Sequence, residues 1–147
     1  MTINVANPAE LPCLCGALRK ASRAVTRLYD AELRSIGLRA TQFSLLAHLK
    51  RHGEVKQGEL GELMFLEITT LTRNVRPLLN NDWIAIRSGK DRREKLVSIT
   101  EAGLQKYKDA LPAWLRAQKQ LKSVLAEDVW QNLLATLPVV AMATAVD

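Results

Sequence analysis

Residues 67–100, EITTLTRNVRPLLNNDWIAIRSGKDRREKLVSIT, carry two different periodicities in one stretch. In the first half Ile68, Leu71, Val75, Leu78 and Leu79 fall in one sector roughly 100° wide, given a turn of about 100° per residue. Thr69, Thr70, Arg73, Arg76 and Pro77 fall on the opposite side. The spacing predicts a helix over 68–80 with its aliphatic residues inward. Asn80-Asn81-Asp82 then makes a turn, where asparagine tolerates the left-handed conformation that ends many helices. Beyond it the pattern alternates. Ile84 and Ile86 interleave with Ala85 and Arg87, and Val97 and Ile99 with Leu96 and Ser98. Two short strands around the polar loop Ser88–Glu94 make a β-hairpin. Thr100 caps the next helix, with Glu101 in its first turn.

The polar side of the 68–80 helix holds two long cations and two hydroxyls and no acidic residue. A solvated face usually mixes both signs. A helix entering the DNA major groove needs this set. Arginine donates two parallel hydrogen bonds to guanine O6 and N7, and threonine can donate to a base edge or press its methyl on thymine. The hairpin tip adds Lys90, Arg92 and Arg93, which suit the negative potential of a narrow minor groove. Asp91 is expected to hold one of these arginines so that the other points outward. Each feature alone also suits a solvated helical hairpin or a solubilising loop. Together, in direct succession, they predict double-stranded DNA as partner.

Working outward, Asn7-Pro8 reads as a helix start, and Leu11, Leu14, Leu18, Ala21, Val25, Leu28 and Leu33 carry that helix to about Gly37. Its other face carries Arg19, Lys20, Arg23, Arg27 and Arg34. A second helix covers Thr41–Arg51, with Phe43, Leu46, Ala47 and Leu49 inward, and His52-Gly53 stops it. A short third helix, about Gln57–Met64, buries Leu60, Leu63 and Met64, and Phe65-Leu66-Glu67 links it to the reading helix. That pair matches a helix–turn–helix. After the hairpin, Leu104, Tyr107, Leu111, Leu115, Leu121 and Leu125 stripe a long helix kinked at Pro112. A last helix, about Glu127–Ala143, is apolar through Val129, Leu133, Leu134, Leu137 and Val140, with a bend at Pro138. The fold class is mainly α (α+β), and the terminal helices are too apolar for a monomer.

Composition narrows the rest. The 147 residues carry a formal charge of +6, which favours phosphate-rich or acidic partners. No apolar run is long enough for a membrane span and the N-terminus lacks a signal-peptide layout, so a cytoplasmic protein is expected. Cys13 and Cys15 are too close for an ordinary helical disulfide, and His48 and His52 lack a third ligand, so neither a metal nor another cofactor is expected. No nucleophile–base pair or phosphate-binding glycine loop suggests an enzyme. A helical protein-interaction adaptor is a rival, but it would not need Arg73, Arg76 and the tip cations.

TTLTRNVRPL (69–78), the turn into Trp83-Ile84, and DRREKLVSITEAG (91–103) resemble the MarR family of bacterial winged helix–turn–helix regulators over nearly the whole chain. The resemblance implies one domain over 1–147, with a winged DNA-binding unit over about 38–100 and dimerisation helices over about 8–36 and 101–145. It implies a homodimer on a pseudo-palindromic operator and repression relieved by a small ligand or an oxidant. It also places residues 69–76 in the major groove, Asp91 and Arg93 in the wing, and Gln57 near phosphate. Three positions depart from the family pattern. Met64-Phe65-Leu66 stands where glycine is usual, Glu67 where a better N-cap is expected, and Arg39 where threonine often opens the second helix. For the effector two readings stay open. One is an aromatic or phenolic ligand in a cleft lined by Phe43, Leu46, His48 and Trp114, and the other is oxidant sensing through Cys13 or Cys15, with Arg19 about one turn from Cys15.

Overall fold

The computed structural model describes residues 13–145, so the expected helix start at Asn7-Pro8 lies outside the described residues. Helix α1 runs Leu14–Leu33 and tightens into a 3-10 turn, Arg34–Ile36. Then follow α2 (Ala40–His52), β1 (Val55–Lys56), α3 (Gln57–Leu63), α4 (Ile68–Asn80), β2 (Ile84–Ser88), β3 (Lys95–Ile99), α5 (Glu101–Val124) and α6 (Glu127–Ala143). Both Pro112 and Pro138 sit inside helices that continue past them.

Three of the helix ends share one device. In a Schellman motif a left-handed residue follows the cap, and two backbone N–H groups reach back to the last free carbonyls. At the end of the 3-10 turn Gly37 (φ 75°) is that residue, and Leu38 N–H donates to Leu33 O. After α4 the left-handed residue is Asp82 (φ 58°) rather than an asparagine, with Trp83 N–H on Leu78 O. Asn81 instead donates its side-chain amide to Pro77 O at 2.7 Å. After α3 it is Phe65 (φ 53°), with Leu66 N–H on Gly61 O at 2.9 Å. A side chain in that conformation costs about 1–2 kcal/mol. The missing glycine therefore leaves the turn geometry intact and the backbone strained.

The other two departures are also absorbed locally. Glu67 caps α4 without a side-chain hydrogen bond. Arg39 cannot cap α2 as threonine would, but Gln42 Oε1 accepts from Arg39 N–H at 2.9 Å and Asp30 Oδ1 accepts from Ala40 N–H at 2.7 Å. The carboxylate that completes the cap thus comes from α1.

The hairpin is joined by a strand that the alternation did not reveal. Val55–Lys56 pairs antiparallel with β3, so the sheet order is β1-β3-β2. Two residues are too few to show a period. Register runs from Ile84 opposite Ile99 to Ser88 opposite Lys95. Ile84 and Val97 point into a core built with Leu33, Leu45, Leu46, Leu49, Leu60, Leu71 and Leu78, all essentially inaccessible.

Several inward assignments shift. Leu45 is fully buried, while Ala47 is half-buried. Leu63 is exposed, because α3 turns Leu60 and Gly61 to the core instead. On α4 only the Leu71, Val75, Leu78 edge is buried, and Ile68 and Leu79 face out. The expected leucine stripe of α5 is corrected at Leu115, which is exposed; the helix buries Gly103, Ala110, Ala113 and Ala117. Small residues let α1 and α5 pack closely, and Arg116 and Gln120 both donate to Glu32 across that seam, at 2.9 and 2.6 Å. On α6 Trp130 is buried, whereas Val129, Leu133, Leu134, Leu137, Val139 and Met142 are exposed.

Candidate nucleic-acid interface

Helix α4 owes its position to its buried edge, which packs on α2 and β2. With Leu71, Val75 and Leu78 inward, the outward arc runs from Ile68 and Thr72 through Arg76 and Thr69 to Arg73. Thr69, Arg73 and Arg76 are exposed as expected. Thr70 is corrected to the flank, half-buried, because the core-facing edge is narrower than the run of aliphatic residues suggests. Thr72, absent from the sequence-based face, is exposed too, at the edge of the arc beside Ile68. Counting Ile68 and Leu79 as inward had displaced the arc by about one residue.

The wing is held by its ends and shaped at its tip. Arg87 on β2 clasps Glu54 in front of β1, with Nε on Oε2 at 2.8 Å and Nη2 on Oε1 at 2.5 Å. Hydrogen bonding from Arg87 holds the Glu54 carboxyl below the ordinary glutamate value. Glu94 pairs with Lys56 at 2.7 Å and, first by that bond, raises the lysine above its usual value. At the tip Gly89 N–H donates to Glu94 O at 2.8 Å. Asp91 does not hold an arginine side chain as expected. Its Oδ1 accepts the backbone N–H of Arg93 at 3.1 Å, and its carbonyl accepts Glu94 N–H at 2.9 Å. Its carboxylate shapes the loop, as aspartate commonly does in turns. Among the described residues, Lys90, Arg92 and Arg93 form no ion pair, and all three are exposed.

Gln57, at the start of α3, donates from Nε2 to Thr72 Oγ1 at 3.4 Å. Gln57, Ile68, Thr72, Arg93 and Lys95 line one open cleft of about 500 Å³ between α3, α4 and the wing base. The structure therefore brings Gln57 and Arg93 to the first turns of α4, while Arg73 and Arg76 lie further along the helix.

A second cavity, about 380 Å³, opens between α1, α2 and α5 and is lined by Tyr29, Phe43, Ser44, His48, Arg51 and Trp114, among others. Phe43, His48 and Trp114 were expected there. Leu46 is not among its lining and is fully buried in the core. Phe43 stacks on Trp114 and Tyr107 at centroid distances of 5.8 and 5.2 Å. Tyr29 donates to Gln118, and burial raises its phenol above the ordinary value, so it remains a neutral donor at neutral pH. Arg51 was not foreseen at this site, because nothing in a single helix reveals what faces it. Cys13 and Cys15 are exposed at the start of α1, and Cys13 Sγ accepts from Gly16 N–H at 3.4 Å. Among the described residues no cluster of side chains suits a metal ion, and no helix is long and apolar enough to cross a membrane.

Comparison with known proteins fits this geometry. A model of the MarR family matches residues 38–95. The HTH-type transcriptional regulator YwoH of Bacillus subtilis is 30% identical over 104 residues, 71% of this chain and 76% of that protein. The organic hydroperoxide resistance transcriptional regulator of B. subtilis is 31% identical over 91 residues, 61% of this chain but only 62% of that protein. Among solved structures, the M. tuberculosis transcriptional regulator MosR in complex with DNA superposes with a TM-score of 0.79 at 29% identity, covering 92% of this chain and 100% of that one. An E. coli MarR mutant complexed with operator DNA gives a TM-score of 0.77 over 86% of this chain and 92% of that one, and its 21% identity speaks for the fold alone.

Proposed function

The chain belongs to the MarR family, and from that premise we propose that it is a transcriptional regulator, not an enzyme, that binds a pseudo-palindromic operator as a homodimer in the cytoplasm. The observation that carries this reading is the succession of exposed cations from α4 to the wing tip, Arg73, Arg76, Lys90, Arg92 and Arg93, with no acidic side chain on the α4 face. Helix α4 reads base edges in the major groove through Thr69, Arg73 and Arg76, Thr70 flanks it, and Gln57 meets phosphate. Lys90, Arg92 and Arg93 enter the adjacent minor groove, on a loop that Asp91 shapes. The segments 8–36 and 101–145 form the dimer, for which the exposed aliphatic face of α6 is suited. A two-fold dimer sets its reading helices about 34 Å apart, one helical turn of DNA.

Selection of bound duplex from a random pool tests this directly. It should enrich an inverted repeat whose half-sites are one helical turn apart. Binding should fall steeply with salt, as for about 6–10 phosphate contacts. An unenriched pool, or affinity indifferent to salt, would refute the reading.

The effector reading supported by the cavity is an aromatic acid or phenol whose binding relieves repression by this protein. Phe43 and Trp114 supply flat apolar walls, and Arg51 and His48 supply donors for an acidic group. Exposure of Cys13 and Cys15 supports the second reading, release by an oxidant. Peroxide that still releases DNA from both Cys13→Ser and Cys15→Ser proteins would eliminate it.

A further inference from the structure

Thr72 is exposed at the Ile68 edge of the reading face, yet its hydroxyl is already engaged. Oγ1 donates its one proton to Ile68 O at 2.8 Å and accepts from Gln57 Nε2 at 3.4 Å. A hydroxyl has one proton to donate. With that proton on the helix backbone, Thr72 has none for guanine N7 or O6 or thymine O4. The remaining branch of its Cβ is a methyl, on an exposed residue. One turn earlier stands Ile68, an aliphatic side chain 57% exposed although the core lies one edge away. Both residues line the same cleft at the start of α4. An apolar edge beside the outward arginines and Thr69 calls for an apolar counterpart. The C5-methyl of thymine is the apolar group in the major groove.

We propose that Thr72, with Ile68 beside it, forms a methyl-reading edge that selects thymine at one position of each half-site, Thr72 being the specificity-determining residue. This rests on the reading that α4 enters the major groove. Arg73 and Arg76 supply the hydrogen-bonded part of recognition, and the Thr72 edge supplies a part that is blind to hydrogen-bond pattern.

The test uses the full chain and the duplex enriched from a random pool. Each thymine is replaced singly by deoxyuridine, which removes the methyl and leaves every hydrogen-bonding group. The wild-type protein should lose roughly fourfold in affinity at one thymine per half-site, the worth of about one buried methyl. Thr72→Ser keeps the hydroxyl and should abolish that penalty. Thr72→Val keeps the methyl and should preserve it. Circular dichroism and low-salt binding to unrelated duplex confirm that both variants are folded. A penalty that survives in Thr72→Ser, or vanishes in Thr72→Val, overturns the proposal. If a sequence is enriched but no deoxyuridine matters, the methyl edge fails alone. If no sequence is enriched, or Arg73→Ala and Arg76→Ala change neither affinity nor preference, the major-groove reading fails and the methyl edge with it.

Discussion

The reading unit and the outer helices handle the same kinds of side chain in opposite ways. Around α4 and the sheet, Leu60, Leu71, Leu78, Ile84 and Val97 are buried within the chain and the cations are left outside. On α6 Trp130 goes inward while Leu133, Leu134, Leu137 and Val139 stay exposed. The first region satisfies its apolar residues by itself, and the second leaves them for another surface. The two meet at a small joint. Thr100 caps α5 by accepting Gly103 N–H at 3.0 Å and donates its own proton to Asp82 O at 2.5 Å, just past the reading helix. A Cβ on Gly103 would drive into the Trp83 carbonyl and Ile99. The start of α5 is thereby fastened to the turn that ends α4.

Breaking the joint should have the largest effect. Gly103→Ala has to move backbone rather than a flexible side chain, so destabilisation should reach the upper part of the roughly 1–3 kcal/mol typical of overpacking, or exceed it. Urea unfolding measures this, and a wild-type midpoint would mean the joint is loose. Next comes the exposed face of α6. Leu134→Glu with Leu137→Glu places two charges where a partner would cover them, and operator affinity should drop by about 100-fold as the dimer is lost, since charges buried without partners are strongly disfavoured. Light scattering on the eluting protein decides it: a dimer of unchanged affinity would remove the contrast between the two regions. Within the reading unit, Arg73→Ala should lose about 1–3 kcal/mol of discrimination at one base pair. Arg93→Ala should weaken all duplexes alike and lower the salt slope by about one. Equal behaviour of the two variants in a competition assay would erase the division between helix and wing.

The smallest expected effect concerns pH. The folded value of Glu54 lies below its unfolded one because Arg87 donates to it. Its contribution is therefore complete above the unfolded value, about 4.3, and is lost as pH falls through the folded value. Stability should be level from neutral pH to about pH 5 in this respect and decline below it. Glu54→Gln should flatten that acid limb slightly. Glu32, lowered by Arg116 and then Gln120, should behave the same way at the α1–α5 seam. An acid limb unchanged in Glu54→Gln and in Glu32→Gln would show that neither pair matters.

Much of the reading unit was legible in the residues. The extent of α4, 68–80, and the β2–β3 hairpin followed from periodicity, because a change of spacing survives any detail of packing. So did the exposure of Thr69, Arg73, Arg76 and the wing cations. Strand β1 was not legible, because a two-residue strand exists only through its partner. The cavity wall was expected from the family resemblance, not from spacing: Phe43, His48 and Trp114 line it, but Leu46 is buried in the core and Arg51 enters from the next turn.

The residues alone determined the order of the helices, the hairpin and the cationic face, since each rests on local spacing or charge. Only the tertiary structure decided how far each face is turned. It put Thr72 rather than Thr70 in the exposed arc, with its hydroxyl bound to Ile68 O. It also showed what Thr100 and Gly103 do in one short motif, one as a cap and the other as the absence of a side chain against Trp83. The physical reason is that burial is a property of pairs of elements. A helix displays its own period in the sequence, but the edge it buries depends on the width and angle of what it packs against.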